Sequence, residues 1–570
     1  MLKLNIFKRI TFLNKLHSNK ILKKRYFVYC SFASGAFLTW CACEGRSNET
    51  ETGKDGSILK VKKRLQLEYN DRILHSSIVR FGRAAVAVVS VFTDYKYSLM
   101  GLDAETEKYK CLKSECHLRS AIKFRNLCSS NGGVFMKVAQ HIGSLDFLFP
   151  AEYTETLKCF QYEAPASSFE DVCFVIETDT KQRMEELFSS FEQKPIGSAS
   201  LAQVHKATLK NGEMVAVKVQ HRTVKEHAFA DAKVIEFFVN IATKMFPEFR
   251  FQWLVDQIKA NLPLELDFLN EGKNCEKMGD ILKCFKYLKV PQIYWKESTE
   301  RVLFMEFCHG GVIDDLEYIR KNKIDVNDIS TKLGRLYSEM IFVHGFIHCD
   351  PHPGNILVRK SEKDSRAEII LLDHGLYQTM DDDIRLAYCK LWQSMMESDV
   401  NGIKKYSEAL NVGKYYNLFA CIVAGRTWNS IQHGIDKKDL TAEELREVQE
   451  DAIKYITNIT EVLELIPREM ILIFKTNDLL RGLDGRLKTK ATSGSFVTMA
   501  QCCLRAVYSN DMASTVSIVT KWRLSCAYAI NNLRLLAYRF SLSPFGQVLV
   551  TILDQFKRSI DKVTNHVFVT

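Results

Sequence analysis

The chain has 570 residues, and 46% of them are apolar, so it can bury a large core and form two or three domains. This composition excludes a disordered protein. The formal net charge is +10, but eight basic residues lie before residue 26 and no acidic residue precedes Glu44. Subtracting those eight charges from +10 leaves only +2 for the rest of the chain. That remainder argues against a nucleic-acid partner.

The first 43 residues carry two targeting features. Residues 1–25 are basic, free of acidic residues and interleaved with apolar residues, as in a mitochondrial targeting leader. Residues 26–43 are uncharged and mostly apolar, and they are just long enough for a transmembrane helix. A secretory anchor or a basic tail would share the first pattern, and a signal remnant would share the second. We expect a mitochondrial protein associated with the inner membrane.

Residues 44–168 are predicted to form a linker and a helical extension. The stretch Ile78–Val89 is apolar but contains two arginines, which predicts a buried helix rather than a second membrane span. Further along, Lys137 and Gln140 are three residues apart, so they lie on one helix face and can reach a common site. Taken alone, two such residues on a helix are more often exposed to solvent.

A loop rich in small residues predicts a nucleotide site. Residues 194–205 align with the kinase template GxGxxGxV, in which Gly197 is kept while Ala199 and Ala202 replace two glycines. Alanine does not adopt positive φ cheaply, so this loop should be stiffer than a glycine-rich one. The residues assigned to the nucleotide here are Gly197, Ser198, Ala199, Ser200, Ala202 and Val204.

The next segment predicts a hairpin that carries a phosphate-binding lysine. Asn211-Gly212 between two alternating runs indicates a hairpin turn, and Lys218 lies on the face opposite the neighbouring valines. In kinases a lysine at this position pairs with nucleotide phosphates and with a helical glutamate. We assign that role to Glu271, on a helix predicted to open at Pro263 and to carry Asp267 on the same face.

A second strand pair ends in the sequence Phe304–Gly311, which resembles a kinase hinge. Adenine would bind there through backbone groups at Glu306 and Cys308. A core strand that ends in a glycine turn accounts for the same residues equally well. The sequence leaves both interpretations open.

The stretch Phe346–Tyr377 predicts a phosphoryl-transfer centre. Asp350 precedes Asn355 by five residues, and after two strand-like runs comes Asp373, which is the order of a kinase catalytic loop and its metal-binding strand end. Asp350 would orient or deprotonate the attacking hydroxyl, while Asn355 and Asp373 would hold Mg²⁺. Only a few residues separate Gly375 from the next predicted helix. A peptide substrate would therefore lack its usual docking segment.

Together these motifs resemble the UbiB/aarF-domain family of atypical kinases, from about Leu59 onward. The resemblance implies that the Lys137 helix lies over the nucleotide cleft, with Lys137 and Gln140 near Glu265 and Asp267. It also implies ATP and Mg²⁺ as cofactors, a lipid or isoprenoid-like ligand and mitochondrial protein partners. Two positions depart from the family pattern: Ala139 replaces a glycine, and His374 replaces the phenylalanine of the DFG motif.

The predicted fold class is α+β, a two-lobed protein-kinase-like fold with an N-terminal helical extension over the nucleotide cleft and a helical C-terminal extension. The predicted lobes are residues 169–308 and 309–490, and residues 491–570 form the C-terminal extension. The predicted function is a mitochondrial atypical kinase or ATPase in lipid or membrane homeostasis. It would act on a small-molecule or lipid-like substrate or hydrolyse ATP. The alternative is a nucleotide-binding scaffold that acts through protein partners without phosphoryl transfer.

Overall fold

A computed structural model describes residues 56–104, 106–145, 149–161, 165–245, 251–433, 456–489 and 492–541. The predicted leader and transmembrane helix lie outside these residues. The described residues belong to two compact units. Unit 1 contains the described part of Met1–Met136 together with Thr223–Ala242, and unit 2 contains the described parts of Lys137–Arg222 and Thr243–Thr570.

The elements are numbered here in chain order. The helices are α1 (Gly56–Leu99), α2 (Glu107–Asn131), α3 (Gly133–Gly143), α4 (Ala151–Leu157), α5 (Phe169–Thr180), α6 (Met184–Leu187), α7 (Val224–Met245), α8 (Gln252–Glu265), α9 (Phe268–Ile281), α10 (Leu316–Lys321), α11 (Val326–Ser338), α12 (Asp382–Met396), α13 (Val400–Ala409), α14 (Tyr416–Ala424), α15 (Trp428–His433), α16 (Ile456–Leu465), α17 (Arg468–Leu487), α18 (Thr492–Ser514) and α19 (Ile518–Ser541). The strands are β1 (Phe188–Phe191), β2 (Gly197–Ser198), β3 (Ala202–Leu209), β4 (Met214–Gln220), β5 (Leu288–Lys289), β6 (Val302–Glu306), β7 (Gly311–Val312), β8 (Phe346–His348), β9 (Ile356–Lys360), β10 (Ala367–Leu371) and β11 (Tyr377–Thr379).

In unit 1, the long helix α1 is held by its arginines. Arg80 pairs with the buried Asp231 of α7, with an Nε–Oδ1 distance of 2.9 Å, and Arg83 donates to the carbonyl of Ser130 at 3.0 Å. Within the described residues, one helical stretch, His75–Leu99, is long and apolar enough to cross a membrane. Length and composition alone are weak support for a span, because core helices pass the same test.

The predicted burial of Ile78–Val89 is wrong. Phe81 and Ala84 are buried, but Val86 is 65% exposed, and only 11% of the apolar window of this helix is buried. The arginines fix one face of α1 against the rest of unit 1, so the valines on the other face point outward.

In unit 2, a five-stranded sheet builds the smaller lobe. Its order is β1-β3-β4-β6, and β2 pairs with β3. The turn between β3 and β4 contains Gly212 at φ +89°, a conformation that glycine adopts without strain, so the predicted hairpin is confirmed. Val215, Val217 and Val219 face a buried core that also includes Phe304. Because side chains alternate along a strand, Lys218 points to the opposite face.

Two helices, rather than one, approach this sheet. The predicted single helix from Pro263 through Glu271 is wrong. Pro263 lies inside α8, which ends at Glu265. Asp267 has an extended backbone and accepts a hydrogen bond from the amide of Leu269, so it is the N-cap of the next helix, α9. Asp267 and Glu271 therefore do not share a helix face.

The larger lobe contains the second sheet, in the order β5-β10-β9-β7, and a separate pair, β11 with β8. The Tyr377–His348 pairing of β11 with β8 brings the chain back beside the catalytic loop soon after Asp373. Helix α12 begins at Asp382, so the predicted lack of a long activation segment is confirmed. The predicted α+β, two-lobed kinase-like fold with helical extensions is confirmed.

Gly272 of α9 leaves room for the indole ring of Trp295, and this contact generates a prediction. A Cβ at Gly272 would lie 2.7 Å from Cη2 of Trp295, whereas one at Gly279 of the same helix would lie 3.8 Å from Cβ of Val290. Replacing glycine by alanine improves helix propensity by up to about 1 kcal/mol, so the contact decides whether the substitution raises or lowers the stability. We expect Gly272→Ala to lower the melting temperature and Gly279→Ala to leave it unchanged or raise it. Equal melting temperatures for both variants would contradict this packing.

Candidate active site

Lys218 joins three elements at the centre of the candidate site. Its Nζ lies 2.7 and 2.8 Å from the two carboxylate oxygens of Glu271, and 3.2 Å from Oδ2 of Asp373. The side chains of Lys218 and Glu271 are 11% and 3% exposed, whereas that of Asp373 is 36% exposed. The predicted Lys218–Glu271 pair is thus present, and Asp373 turns one edge toward solvent.

The charges of this trio depend on one another. Burial opposes the charged form of Lys218, but Asp373 and Glu271 outweigh it and hold the pKa of Lys218 above its ordinary value. Burial raises the pKa of Glu271 to about 7, and Lys218 limits that rise. Burial also acts to raise the pKa of Asp373, yet Lys218 and the amide of Gly375 hold it at about 2. Glu271 is therefore the member that first takes up a proton as the pH falls.

Asp350 lies at the end of β8 with both carboxylate oxygens engaged. Its Oδ1 is 3.0 Å from Nζ of Lys475, and its Oδ2 accepts from Nδ2 of Asn355 at 3.3 Å. Burial favours a protonated Asp350, but Lys475 and Lys137 outweigh it and hold the pKa well below its ordinary range. Asp350 is therefore a carboxylate at neutral pH, suited to accept a hydrogen bond from a hydroxyl group or water.

Asn355 and Asp373 fit the predicted Mg²⁺ site. The amide of Leu372 donates to the carbonyl of Asn355 at 2.9 Å, which places the catalytic loop beside the strand end that carries Asp373. Nδ2 of Asn355 also donates to the carbonyl of Asp350 at 3.1 Å, so its amide oxygen is the atom left to bind a cation. Within the described ranges, no cluster of three His, Cys, Asp or Glu side chains could hold a metal. Mg²⁺ suits such a site, because it takes few protein ligands and completes its shell with phosphate oxygens and water.

Two buried histidines support the strand end behind Asp373. Nε2 of His348 donates to the carbonyl of Asp373 at 2.9 Å, and its Nδ1 accepts from the phenol of Tyr337. His374 repeats this arrangement: its Nε2 donates to the carbonyl of Leu371 at 3.1 Å, and its Nδ1 accepts from Tyr377 at 2.8 Å. We assign these tautomers because a carbonyl can only accept.

His374 consequently replaces the usual phenylalanine with a hydrogen-bonded ring. It is 1% exposed and stacks on Tyr377, with ring centroids 5.8 Å apart. Burial lowers its pKa to about 3, so the imidazole is neutral near pH 7. Moving the ring outward would break two hydrogen bonds, a constraint that phenylalanine does not impose.

The alanine-containing loop is tied to the Lys137 helix. The amide of Ala199 donates to the carbonyl of Ala202 at 2.8 Å, which closes the turn. Oγ of Ser200 donates to Oε1 of Gln140 at 3.3 Å, and Nε2 of Gln140 donates to the carbonyl of Phe160 at 2.8 Å. In β3, Val204 lies directly opposite Lys218. The loop residues therefore reach the neighbourhood of the lysine, with Gln140 as the link to α3.

Lys137 meets one of its two expected partners. Its Nζ lies 2.8 Å from Oε2 of Glu265, and the two side chains are 16% and 8% exposed. Burial opposes the charge on Lys137, but Glu265, Asp350 and Asp373 outweigh it and raise its pKa. Asp267 instead caps α9, as described above. The carboxylates of the site thus act on Lys137 although it lies on a different helix.

The proposed hinge lies at the end of β6. The amide of Glu306 donates to the carbonyl of Gln292 at 2.8 Å, and the amide of Phe307 donates to the carbonyl of Met214 at 3.3 Å. The Glu306 carboxylate is bound by Lys289 at 2.6 Å. The amide and the carboxylate of Glu306 thus have partners within the protein, and the assignment of adenine to the backbone at Glu306 and Cys308 stays a prediction.

Lys475 is the site residue that sequence reasoning missed. It lies on α17 and is 6% exposed, immediately after the buried residues Met470–Phe474. A lysine on the apolar face of a buried helix must have a partner, since an unpaired buried charge is costly. That signal was in the sequence, but nothing in it indicated Asp350 as the partner.

Comparison with known proteins fits this geometry. Residues 159–407 match the family described as the ABC1 atypical kinase-like domain. The chain is 46% identical to the AarF domain-containing protein kinase 1 of Gallus gallus over 85% of this chain and 94% of that one. The chain belongs to the AarF-domain (ABC1) family of atypical kinases. The mouse protein of the same name is 48% identical over 80% of this chain and 86% of its own. A Drosophila melanogaster relative, AarF domain-containing kinase 1, is 47% identical over 76% and 85%, respectively. The predicted resemblance is confirmed.

The buried Lys218–Glu271 pair in this AarF-domain chain gives a pH-dependent prediction. Lys218→Met leaves Glu271 buried without its cation, which typically costs about 3–5 kcal/mol. Lys218 limits the rise of the Glu271 pKa, so in the variant that pKa lies above its native value of about 7, and the variant keeps losing stability relative to wild type as the pH rises above 7. We expect the melting temperature of Lys218→Met to fall further below wild type at pH 8 than at pH 6.

A matched control is available on the neighbouring strand. Lys206→Met removes a lysine of β3 whose pair with Glu192 is 34% and 54% exposed, so a small and pH-independent change is expected. The double variant Lys218→Met/Glu271→Gln should regain part of the lost stability. A deficit of Lys218→Met that is equal at both pH values would contradict the described electrostatics.

Proposed function

We propose that this chain binds Mg-ATP and catalyses phosphoryl transfer or ATP hydrolysis. The observation that supports this proposal most directly is that Lys218, Glu271 and Asp373 form one connected cluster. Asp350 and Asn355 are joined beside the strand end that leads to Asp373. Bound Mg²⁺ would neutralise phosphate charge, and these residues divide the remaining work: Lys218 binds phosphate oxygens, Asn355 and Asp373 hold the metal, and Asp350 orients the acceptor.

We further propose a small-molecule or lipid-like hydroxyl, or water, as the acceptor. Between Gly375 and the start of α12 at Asp382, the chain forms only the short strand β11, which pairs back with β8. A peptide substrate would find no extended segment there on which to dock. Lys137 also brings a charged side chain toward the carboxylates of the site. Both features favour a compact acceptor over a protein chain.

The proposed setting is the mitochondrial inner membrane, with a role in lipid or membrane homeostasis. This part rests on the basic, acid-free leader at residues 1–25 and the apolar run at residues 26–43. Import of the full chain by isolated mitochondria, compared with a chain lacking residues 1–25, tests it. Import of both to the same extent would contradict it.

A second candidate function is a nucleotide-binding scaffold that acts through protein partners. The observation that favours it is the contact between Lys218 and Asp373 at 3.2 Å. The lysine assigned to phosphate is paired with the carboxylate assigned to the metal, so each occupies the other's binding atoms. The loop is also tied to Gln140. A site whose side chains pair with one another in this way suits nucleotide binding and a conformational change as well as turnover.

ATP turnover by the full chain distinguishes the two candidates. We expect wild type to release ADP in the presence of Mg²⁺, and Asp373→Asn to reduce the rate by at least about 100-fold, because the variant loses a metal ligand. Detergent-solubilised protein should be assayed with and without lipid vesicles. Thr379→Ala, at the exposed last residue of β11, is a control that leaves the metal ligands in place.

The outcomes of the binding and turnover measurements distinguish the enzyme from the scaffold. Turnover that depends on Asp373 and Mg²⁺ supports the enzyme. Nucleotide binding without turnover, combined with full cellular function of Asp373→Asn, supports the scaffold. Absence of both binding and turnover would overturn both candidates.

A further inference from the structure

The catalytic loop of this chain holds no fixed positive charge of its own. Between Asp350 and Asn355 the sequence is Pro-His-Pro-Gly, without lysine or arginine. His352 is the one titratable residue in that stretch, and its Nδ1 accepts from the amide of Gly354 at 3.1 Å. A transferring phosphoryl group spreads negative charge over its oxygens, next to the carboxylate of Asp350. A cation supplied from elsewhere in the fold would offset that repulsion.

Lys475 supplies such a cation from outside the loop. Its Nζ is 3.0 Å from Oδ1 of Asp350, and its side chain is 7% exposed. The adjoining residues Met470–Phe474 and Thr476 are also buried, so their packing fixes the position of the helix that carries the lysine. With Asn355 on Oδ2, the carboxylate of Asp350 is held from both oxygens. Two directed contacts fix the rotation of this carboxylate, which one contact would leave free.

We propose that Lys475 is a positioning residue that acts through Asp350. This inference rests on the proposed function. In the step it supports, a bond forms between the acceptor oxygen and the γ-phosphorus of ATP while the bond from that phosphorus to the ADP oxygen breaks. The acceptor proton passes to Asp350 and then to solvent, and ADP leaves. Lys475 keeps the Asp350 carboxylate aimed at the acceptor, so helix α17 of the larger lobe is part of the active site.

Because Lys475 acts through Asp350, loss of its charge should reduce turnover rather than nucleotide binding. Lys475 contacts Asp350, whereas the nucleotide phosphates are assigned to Lys218 and the metal ligands. We expect Lys475→Met in the full chain to lower kcat by about 100-fold or more while KM for Mg-ATP stays within about threefold. Lys475→Arg keeps the cation and should recover at least about tenfold of the lost kcat.

Lys332 provides a matched control for the loss of a buried lysine. It lies on α11, is 9% exposed and binds Asp328 at 2.8 Å and the carbonyl of Ala367 at 2.7 Å. Lys332→Met should lower the melting temperature but leave kcat per folded molecule within about threefold of wild type. The folded fraction of each variant is measured by circular dichroism before the assay.

The outcomes separate this inference from the function on which it rests. No turnover by wild type overturns the proposed function and this inference with it. Turnover by Lys475→Met within threefold of wild type overturns the inference alone. So does an equal fall in kcat for Lys475→Met and Lys332→Met, or a loss in Lys475→Met that appears wholly in KM.

Discussion

The ion pair between Lys218 and Glu271 is the interaction on which the site depends. It joins a central strand of the smaller lobe to helix α9 with both partners buried, so neither can leave without exposing the other as an unpaired charge. Asp373 completes the arrangement from the larger lobe at 3.2 Å. Lys218 therefore contacts a carboxylate from each lobe at the point where phosphates would bind.

Two further buried lysines repeat the pattern around the same centre. Lys137 pairs with Glu265, and Lys475 pairs with Asp350. Each lysine comes from a different helix: Lys137 from α3, before the kinase-like sheet, and Lys475 from α17, in the larger lobe. Because a buried charge needs its partner, these pairs hold α3 and α17 to the catalytic residues. Both helices are consequently part of the site.

Short motifs made much of this arrangement predictable. Asn211-Gly212 specifies a hairpin locally, and the spacing of Asp350, Asn355 and Asp373 predicts that the loop and strands between them bring these residues together. Features set by tertiary packing were not predictable. Lys475 lies 125 residues from Asp350 in the chain, and nothing local points to that contact. The break that makes Asp267 a helix cap depends on how α9 packs, and the exposed face of α1 depends on which neighbours its arginines find.

We propose that the cluster of Lys218, Glu271 and Asp373 binds a magnesium-bound nucleotide. The most direct test is the thermal stability of the full chain with ATP, with and without Mg²⁺, for wild type and for Asp373→Asn. At a ligand concentration of 100 times Kd, binding adds about 2.7 kcal/mol of stability. We expect a clear upward shift of Tm for wild type with Mg-ATP, and a smaller shift without Mg²⁺ or with Asp373→Asn. Shifts that are equal with and without Mg²⁺, or absent in wild type, would contradict it.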